Sequence, residues 1–266
     1  MLLTRELDER IRRSELDGIR NGLATIARLF PDTELASVEI AGGVARYSSI
    51  EATVSQAFGV GIDVAVSDED VARLTEFYVS RNATARVVVT PLADPTLAPR
   101  LAAAGYAPTE YENVLISDRF EPYAARDERI VPAGDIAGWA RASAQAFCGV
   151  EDLAPGDDRI AIILAKSADV IALELREGDA IASTAALDVR GDFAALFAGS
   201  TSPRFRGRGF HLALIRDRVA RARDAGARLM RAHAQPGTTS ERNFRRCGFN
   251  VLYTRTTWER PTLASP

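Results

Sequence analysis

Three short apolar segments in the second half of the chain follow one another so closely that they have to pair side by side. They span residues 170–176, 180–189 and 193–199, and only brief turns containing Gly178 and Gly191 separate them. Turns this short join antiparallel strands, whereas parallel neighbours need a crossover of about a dozen residues or more. The sequence therefore predicts antiparallel strands here. With the helical segments around them, it predicts an α/β fold with an α+β mixed sheet.

A stretch rich in glycine and arginine lies between the third of these strands and an amphipathic helix predicted over 210–225. Gly207 and Gly209 allow the backbone to turn tightly and to approach a ligand. The first turn of the helix adds unpaired N–H donors and the positive end of the helix dipole. These features predict an anion site suited to phosphate. A strand-to-helix turn with exposed arginines and no ligand has the same local pattern.

Two nucleotide-binding motifs are excluded by the same residues. The third glycine of the dinucleotide-binding fingerprint is missing, and antiparallel rather than parallel strands precede the stretch. No Gly-Lys-Ser/Thr follows it, as a phosphate-binding Walker loop would require.

One succession of elements occurs twice along the chain: helix, strand, proline-containing loop, short helix, Gly-aromatic pair and strand. From the start of the strand to the glycine of the pair there are 19 residues in the first copy, which ends at Gly105-Tyr106, and 20 in the second, which ends at Gly248-Phe249. A polar stretch at 119–127 reads as a linker between the copies. The repeat predicts two similar domains, 1–120 and 128–266.

Two motifs in the second copy resemble those of a known family. The run Thr201-Ser-Pro-Arg-Phe-Arg-Gly-Arg-Gly-Phe-His211 resembles the pyrophosphate-binding motif of the Gcn5-related N-acetyltransferases (GNAT), Val-x-Pro-x-x-Arg-Gly-x-Gly-x-Gly/Ala. The run Ser240-Glu-Arg-Asn-Phe-Arg-Arg-Cys-Gly-Phe249 is similar to the family's next motif. The motifs cover about half of the chain, and the element order over 129–259 also resembles the family fold. The resemblance implies two GNAT-like acyl-CoA N-acyltransferase domains in tandem, the first degenerate.

The resemblance also implies an activity. An acetyl or other acyl group would pass from acetyl-CoA, a co-substrate used without a metal, to a primary amine that attacks directly in a ternary complex. The acceptor would lie on a small molecule. The residues that match the CoA-binding positions of the family are Ala198, Gly199, Thr201, Arg204, Arg206, Gly207, Arg208, Gly209, Phe210, His211, Ser240, Asn243 and Phe244.

The chain departs from the family at two of these positions. His211 stands where the motif ends in Gly or Ala, and Phe244 stands where the family often has a tyrosine acting as general acid. Glu174, on a predicted central strand, is the candidate general base, although an exposed strand glutamate without a role has the same pattern. His233, on a later strand, is a weaker candidate for the base.

The first copy lacks the glycine-rich stretch. In the corresponding place it has Ser67 followed by three carboxylates, Asp68, Glu69 and Asp70. Carboxylates repel a polyphosphate. We therefore expect no CoA site in residues 1–120, and expect this half to help to shape the acceptor site.

Charge and composition limit the partners. The net charge is −3, which argues against a nucleic-acid-binding protein. No apolar run approaches the ~20 residues of a membrane span, and the two cysteines do not form a disulfide framework. We expect a cytoplasmic enzyme, a monomer or homodimer, with neither nucleic acid nor membrane as partner. A non-catalytic acyl-CoA-binding protein and a protein-directed N-acetyltransferase remain alternatives.

Overall fold

The computed structural model describes residues 3–261, a chain of alternating helices and strands. Its α-helices are α1 (Arg5–Leu29), α2 (Asp68–Val79), α3 (Leu97–Ala103), α4 (Ile136–Cys148), α5 (Arg159–Lys166), α6 (Phe210–Asp224) and α7 (Thr239–Arg246). Its strands are β1 (Leu35–Ile40), β2 (Gly43–Ser48), β3 (Ala57–Phe58), β4 (Ala85–Val89), β5 (Ala107–Ser117), β6 (Ile130–Pro132), β7 (Val170–Glu177), β8 (Ala180–Arg190), β9 (Phe193–Thr201), β10 (Leu229–Ala234) and β11 (Asn250–Arg260). None of the helices in this described part is long and apolar enough to cross a membrane.

Two compact units share the chain, and each is built from two separate segments. The larger unit comprises Met1–Ile26 and Val114–Leu252, and the smaller unit comprises Ala27–Asn113 and Tyr253–Pro266. Strands β5 and β11 each pass from one unit into the other. The two units are defined by which residues pack together, and not by the repeat in the sequence. The division into domains 1–120 and 128–266 therefore stays a prediction.

The sheet of the larger unit has the strand order β5-β10-β9-β8-β7-β6. The β7/β8 and β8/β9 pairs are antiparallel, as the short turns predict, while β9 and β10 run parallel. Parallel neighbours need a crossover, and α6 supplies it. The predicted mixed sheet is therefore confirmed, and α6 begins next to the end of β9.

Helices cover both faces of this sheet. On one face, α6 and α7 pack through residues such as Ile215, Val219 and Phe244 against strand residues that include Leu196 and Met230. On the other face, α4 and α5 bury Trp139, Ala140, Ala161 and Ala165 against Ala172 and Ala186. Asp135 caps the start of α4, where its carboxylate accepts from the N–H of Ala137 at 3.0 Å.

The smaller unit has the strand order β1-β2-β3-β4-β11. Helix α2 buries Leu74 and Tyr78 against this sheet, and the N–H of Arg46 donates to the Tyr78 hydroxyl at 3.3 Å. The outer part of β11 pairs antiparallel with β4, from Thr256 opposite Val89 to Arg260 opposite Ala85. The final segment of the chain thus completes the sheet of this unit.

The secondary structure differs from the sequence pattern in two places. The apolar run at 59–66 predicts a strand, but the strand ends at Phe58 because Gly59 and Gly61 adopt left-handed φ values of 78° and 75°. The N–H of Val66 then donates to the Asp94 carboxylate instead of to a neighbouring strand. Helix α5 was not predicted, since its eight residues have little room to show a helical period.

Candidate acyl-CoA site

The glycine-rich stretch forms a tight turn at the N-terminus of α6. A single 3₁₀ turn, Pro203–Phe205, precedes it, and Gly207 and Gly209 then take left-handed φ values of 77° and 80°. Gly209 is the residue before the first helical residue, and within residues 3–261 no side chain caps this helix end. The first N–H groups of α6 are therefore left for solvent or for an anion.

The three arginines of the turn differ in what they contact. Arg206 donates to the carbonyl oxygens of Thr201 and Ala146, both at 3.2 Å, and so holds the turn in place. Arg208 donates to Glu177 at 3.0 Å and lies over the Phe210 ring. Arg204 is exposed and lies over the ring of Phe205. Arg204 is thus the arginine of the three that the structure leaves most open to an incoming anion.

Strand β9 contains a β-bulge just before this turn. Its register against β8 runs from Ser200 opposite Thr184 to Phe197 opposite Ala186, so that two residues, Ala198 and Gly199, face the single residue between them on β8. Ala198 has a left-handed φ of 48°, which costs a non-glycine residue about 1–3 kcal/mol. Strain of this kind is often kept where a site needs an unusual backbone.

The bulge lies where β9 stops pairing with β10. The parallel register runs from Phe193 opposite Leu229 to Leu196 opposite Ala232, and in the described chain it goes no further. Residues 197–201 are therefore bonded to β8 on one side while their other edge is open toward β10. The two strands are therefore separated beyond Leu196 and Ala232. The open edge of β9 leads to the glycine-rich turn.

Arg218 of α6 lies beneath the bulge with no exposed surface. Its guanidinium donates to the carbonyl oxygens of Leu214 at 3.1 Å, Ala186 at 3.2 Å and Phe197 at 3.1 Å. Its Nη2 has no hydrogen-bond partner among the described residues. Burial lowers the pKa of Arg218 to about 10, against the opposing effect of the Asp217 charge. The guanidinium remains charged at neutral pH and joins α6 to the strands on both sides of the bulge.

The side chain of His211 points inward, toward α7 and the bulge. Its Nδ1 lies 3.1 Å from Nδ2 of Asn243, whose Oδ1 accepts from Arg246 at 3.3 Å. The amide therefore donates to Nδ1, and the ring proton lies on Nε2. Burial, together with the charge of Arg218, lowers the pKa of His211 to about 4, so that the ring is neutral at pH 7.

Gly199 makes room for both of these side chains. A Cβ atom at this position would lie 3.1 Å from Nε2 of His211 and 3.4 Å from Nη2 of Arg218. Phe244 supports the imidazole with an edge-to-face contact at 6.1 Å between ring centroids. The structure thus brings together Gly199, His211, Asn243 and Phe244 from three separate elements. Ser240, on the same helix as Asn243, is half-buried and takes no part in these contacts.

Glu174, the candidate base, lies two strands away from the open edge of β9. It is 3% exposed and accepts from Nε of Arg176 at 2.7 Å, while its Oε2 has no partner in the described chain. Neighbouring strands are about 4.8 Å apart, so about 10 Å separate β7 from β9. Its cross-strand partner Thr184 is hydrogen-bonded to Ser200 of β9 at 2.7 Å. A catalytic role of Glu174 stays a prediction.

The sequence reasoning missed Arg218 and the hydroxyl pair of Thr184 and Ser200. Arg218 lies four residues after Leu214 and four before Ala222, on the buried stripe of α6. A charged residue inside an apolar stripe is the signal that could have found it, because an arginine is almost never fully buried without a partner. The hydroxyl pair left no such signal, since its residues are 16 positions apart.

His233, the other candidate base, belongs to an ionic cluster that joins β10 to Glu15 of α1. Glu15 of α1 is buried, and its carboxylate lies 2.9 Å from Nη1 of Arg231 and 3.1 Å from Nε2 of His233. Nη1 of Arg231 is also 2.9 Å from that histidine nitrogen. The cluster ties α1 to the sheet of the larger unit.

The corresponding helix start in the smaller unit is closed by its own side chains. The Ser67 hydroxyl accepts from the N–H of Asp70, and the Asp70 carboxylate accepts from the N–H of Ser67. These bonds with Ser67 hold the pKa of Asp70 below its usual value, so the carboxylate is charged at neutral pH. Both features disfavour an anion. That residues 1–120 lack a CoA site nevertheless stays a prediction.

Solved structures resemble this chain over most of its length. They include a GCN5-related N-acetyltransferase from Kribbella flavida, with 17% identity over 95% of each chain and a TM-score of 0.66. A tandem GNAT protein from the clavulanic acid biosynthesis pathway matches 92% of this chain with 89% of its own, at 15% identity and a TM-score of 0.61. A functionally unknown conserved protein from Staphylococcus epidermidis covers 90% of this chain with 98% of its own, at 8% identity and a TM-score of 0.59.

The chain therefore has the fold of the GCN5-related N-acetyltransferases. Its likeness to the tandem GNAT protein extends over both halves of the sequence. No protein-family model matches the sequence, and no curated protein matches it. Among residues 3–261, no group of three or more His, Cys, Asp or Glu side chains is arranged to hold a metal ion.

Proposed function

We propose that the protein transfers an acetyl group from acetyl-CoA to a primary amine of a small molecule. One observation carries the proposal: the uncapped N-terminus of α6 directly follows the bulged stretch of β9 whose edge is open toward β10. The two features suit the two ends of one ligand. The helix start suits a pyrophosphate, and the open strand edge suits an extended arm that carries amide groups.

The fold adds support, because solved structures with the same architecture are described as N-acetyltransferases. In the proposed complex the N–H groups near Gly207 and Gly209 bind the pyrophosphate, with Arg204 as an additional cation. The backbone of residues 198–201 binds the arm and polarises the thioester carbonyl. The amine attacks the carbonyl carbon directly, so that catalysis depends mainly on positioning.

The test is calorimetric titration with acetyl-CoA of the wild type and Gly209→Glu. The substitution places a carboxylate at the helix start, and it should abolish micromolar binding. Gly226→Glu is the matched control at the other end of α6: both glycines have left-handed φ values, 80° and 87°, and neither would meet another atom within 4 Å. Both variants therefore carry similar backbone strain, and only the first should lose binding. A wild type that does not bind acetyl-CoA would refute the proposal.

A second candidate, a protein that binds acyl-CoA without catalysis, is favoured by two observations. Phe244 occupies the place of the tyrosine, and the carboxylate of Glu174 is bonded to Arg176. A screen of primary amines for CoA release separates the candidates. Release that depends on the amine supports the transferase, whereas binding without release for every amine supports the second candidate.

A further inference from the structure

Arg218 and His211 each direct one N–H donor at the β9 bulge, and neither donor contacts the ligand in the binding scheme proposed above. Nη2 of Arg218 and Nε2 of His211 both face Gly199, at 3.4 and 3.1 Å from the position that a Cβ would take. The two residues are seven positions apart on α6, which places them on the same face about 10 Å apart along the axis. They converge on one residue of the bulge from different turns of the helix.

Among residues 3–261, no carboxylate is hydrogen-bonded to the positive charge of Arg218. The hydrogen bonds of Arg218 all go to carbonyl oxygens, and its Nη2 is unpartnered among the described residues. The nearby carboxylate of Asp217 is bonded to Arg221 at 2.5 Å and lies 3.5 Å from Arg126. His211 is neutral, because its Nδ1 accepts from Asn243 and its burial disfavours the proton. A buried charge in this state is costly unless an anion approaches it.

Arg218 lies too deep to serve the pyrophosphate, and the His211 ring is turned away from the helix start toward Gly199. The phosphate-binding N–H groups are at the exposed start of α6, whereas Arg218 is two turns further along and fully buried. The bulge that they face is where the proposed function puts the thioester. The negative charge that develops there during acetyl transfer ends on the sulfur of CoA.

We propose that Arg218 and His211 stabilise the thiolate of CoA as it leaves, in place of the acid that Phe244 cannot supply. The inference rests on the proposed function. The neutral amine attacks the carbonyl carbon and forms the C–N bond. The C–S bond then breaks, and its electron pair stays on sulfur as a thiolate beside Nη2 of Arg218 and Nε2–H of His211. The proton lost by the new amide nitrogen finally protonates the thiolate.

The arrangement favours ionised sulfur for two separate reasons. The guanidinium contributes a full charge where water is excluded, so its effect is little screened. The imidazole contributes an N–H donor whose direction is set by the Asn243 bond and by the edge-to-face contact with Phe244. Asn243 is therefore a positioning residue for His211.

The experiment measures the pKa of the CoA thiol when CoA is bound, from the ultraviolet absorbance of the thiolate across a pH series. The complex with S-methyl-CoA, which has no ionisable thiol, serves as the blank and removes the signals of Cys148 and Cys247. We expect the thiol pKa in the wild-type complex to lie below that of free CoA by about 1 to 3. Arg218→Met should abolish most of this shift, Arg218→Lys should retain part of it, and His211→Phe should reduce it.

The outcomes separate the two proposals. If neither CoA nor S-methyl-CoA binds to the wild type, the proposed function has failed and the inference falls with it. If CoA binds with the thiol pKa of free CoA, the cofactor site stands and the inference is overturned. An unchanged pKa in both His211→Phe and Arg218→Lys overturns it as well, and these two variants decide the matter even if Arg218→Met does not fold.

Discussion

Nη1 of Arg218 lies 3.1 Å from the carbonyl oxygen of Phe197, the last residue of β9 before the bulge. The same nitrogen is 3.2 Å from the carbonyl oxygen of Ala186 on β8. One side chain of α6 therefore bonds to both strands where their regular pairing is interrupted. The bulge is held from below by a helix whose first turn forms the candidate anion site.

Replacing Arg218 should weaken the fold as well as the site. Arg218→Met removes the charge but leaves buried carbonyl oxygens without a donor, so we expect the free energy of unfolding to fall by about 1–3 kcal/mol. Urea denaturation followed by circular dichroism measures it. Arg223→Met is the control, because Arg223 is exposed and bonds to Asp224 and Glu121 at the surface, where such pairs contribute about 0–1 kcal/mol. Equal losses in the two variants would contradict the role assigned to Arg218.

Substitutions at Gly199 and His211 should be energetically coupled, because the His211 ring occupies the space that a side chain at position 199 would need. Gly199→Ala places a Cβ 3.1 Å from Nε2 of His211, and we expect it to destabilise the protein by about 1–3 kcal/mol. In a His211→Ala background the same substitution should cost much less, because the obstructing ring is gone. A double-mutant cycle should give a coupling of about 0.5–3 kcal/mol.

Gly134→Ala is the control for Gly199→Ala, since a Cβ at position 134 would meet nothing within 4 Å. It should not couple to His211→Ala. Additive effects of Gly199→Ala and His211→Ala would show that the two positions are independent, against the packing seen here.

The stability of the protein should depend on pH through His211. Its folded-state pKa of about 4 is below the usual 6.5, so the unfolded chain binds the proton more strongly. The stabilisation is fully present above pH 6.5 and is lost as the pH falls toward 4. Urea unfolding at pH 7, 6 and 5 should give a decline that is smaller in His211→Phe. His233→Gln is the control: it keeps His211 and should therefore keep the loss of stability that His211 causes at low pH. If the free energy of unfolding falls equally with pH in the wild type and in His211→Phe, the low pKa of His211 is ruled out.

The capping box of α2 gives a prediction for the smaller unit. Ser67→Ala removes the hydroxyl that accepts from the N–H of Asp70, and should lower the free energy of unfolding by about 1 kcal/mol. Ser80→Ala is the comparison, because this exposed serine lies at the other end of α2, where its hydroxyl makes only a long bond of 3.4 Å to the carbonyl oxygen of Phe77 and its backbone N–H, which the substitution keeps, caps the helix. It should change the stability by less than half as much.

Elements with a strong local signal could be predicted from the sequence. The strands β7, β8 and β9 follow from their apolar composition and their short turns, and α6 follows from its apolar stripe and the glycine after it. The glycine-rich turn was also correctly placed at the start of this helix. These features depend on residues within a few positions of one another, which is why single-sequence reasoning finds them.

Elements that depend on distant contacts were missed or mistaken. Residues 59–66 are apolar enough for a strand, yet two left-handed glycines and a bond from Val66 to Asp94 make them a loop. The bulge of β9 depends on the register between β8 and β9, which no local pattern specifies.

The sequence alone determined the succession of β7, β8, β9 and α6, the anion-binding potential of the turn at Gly207 and Gly209, and the two departures from the family motifs at His211 and Phe244. Only the tertiary structure decided what the side chains at these two positions contact. It turned the His211 ring toward Gly199, fixed the proton on Nε2 through Asn243, and buried Arg218 under the bulge. The physical reason is that backbone propensity acts between near neighbours in the chain, whereas burial and hydrogen-bond partners come from segments that meet only on folding.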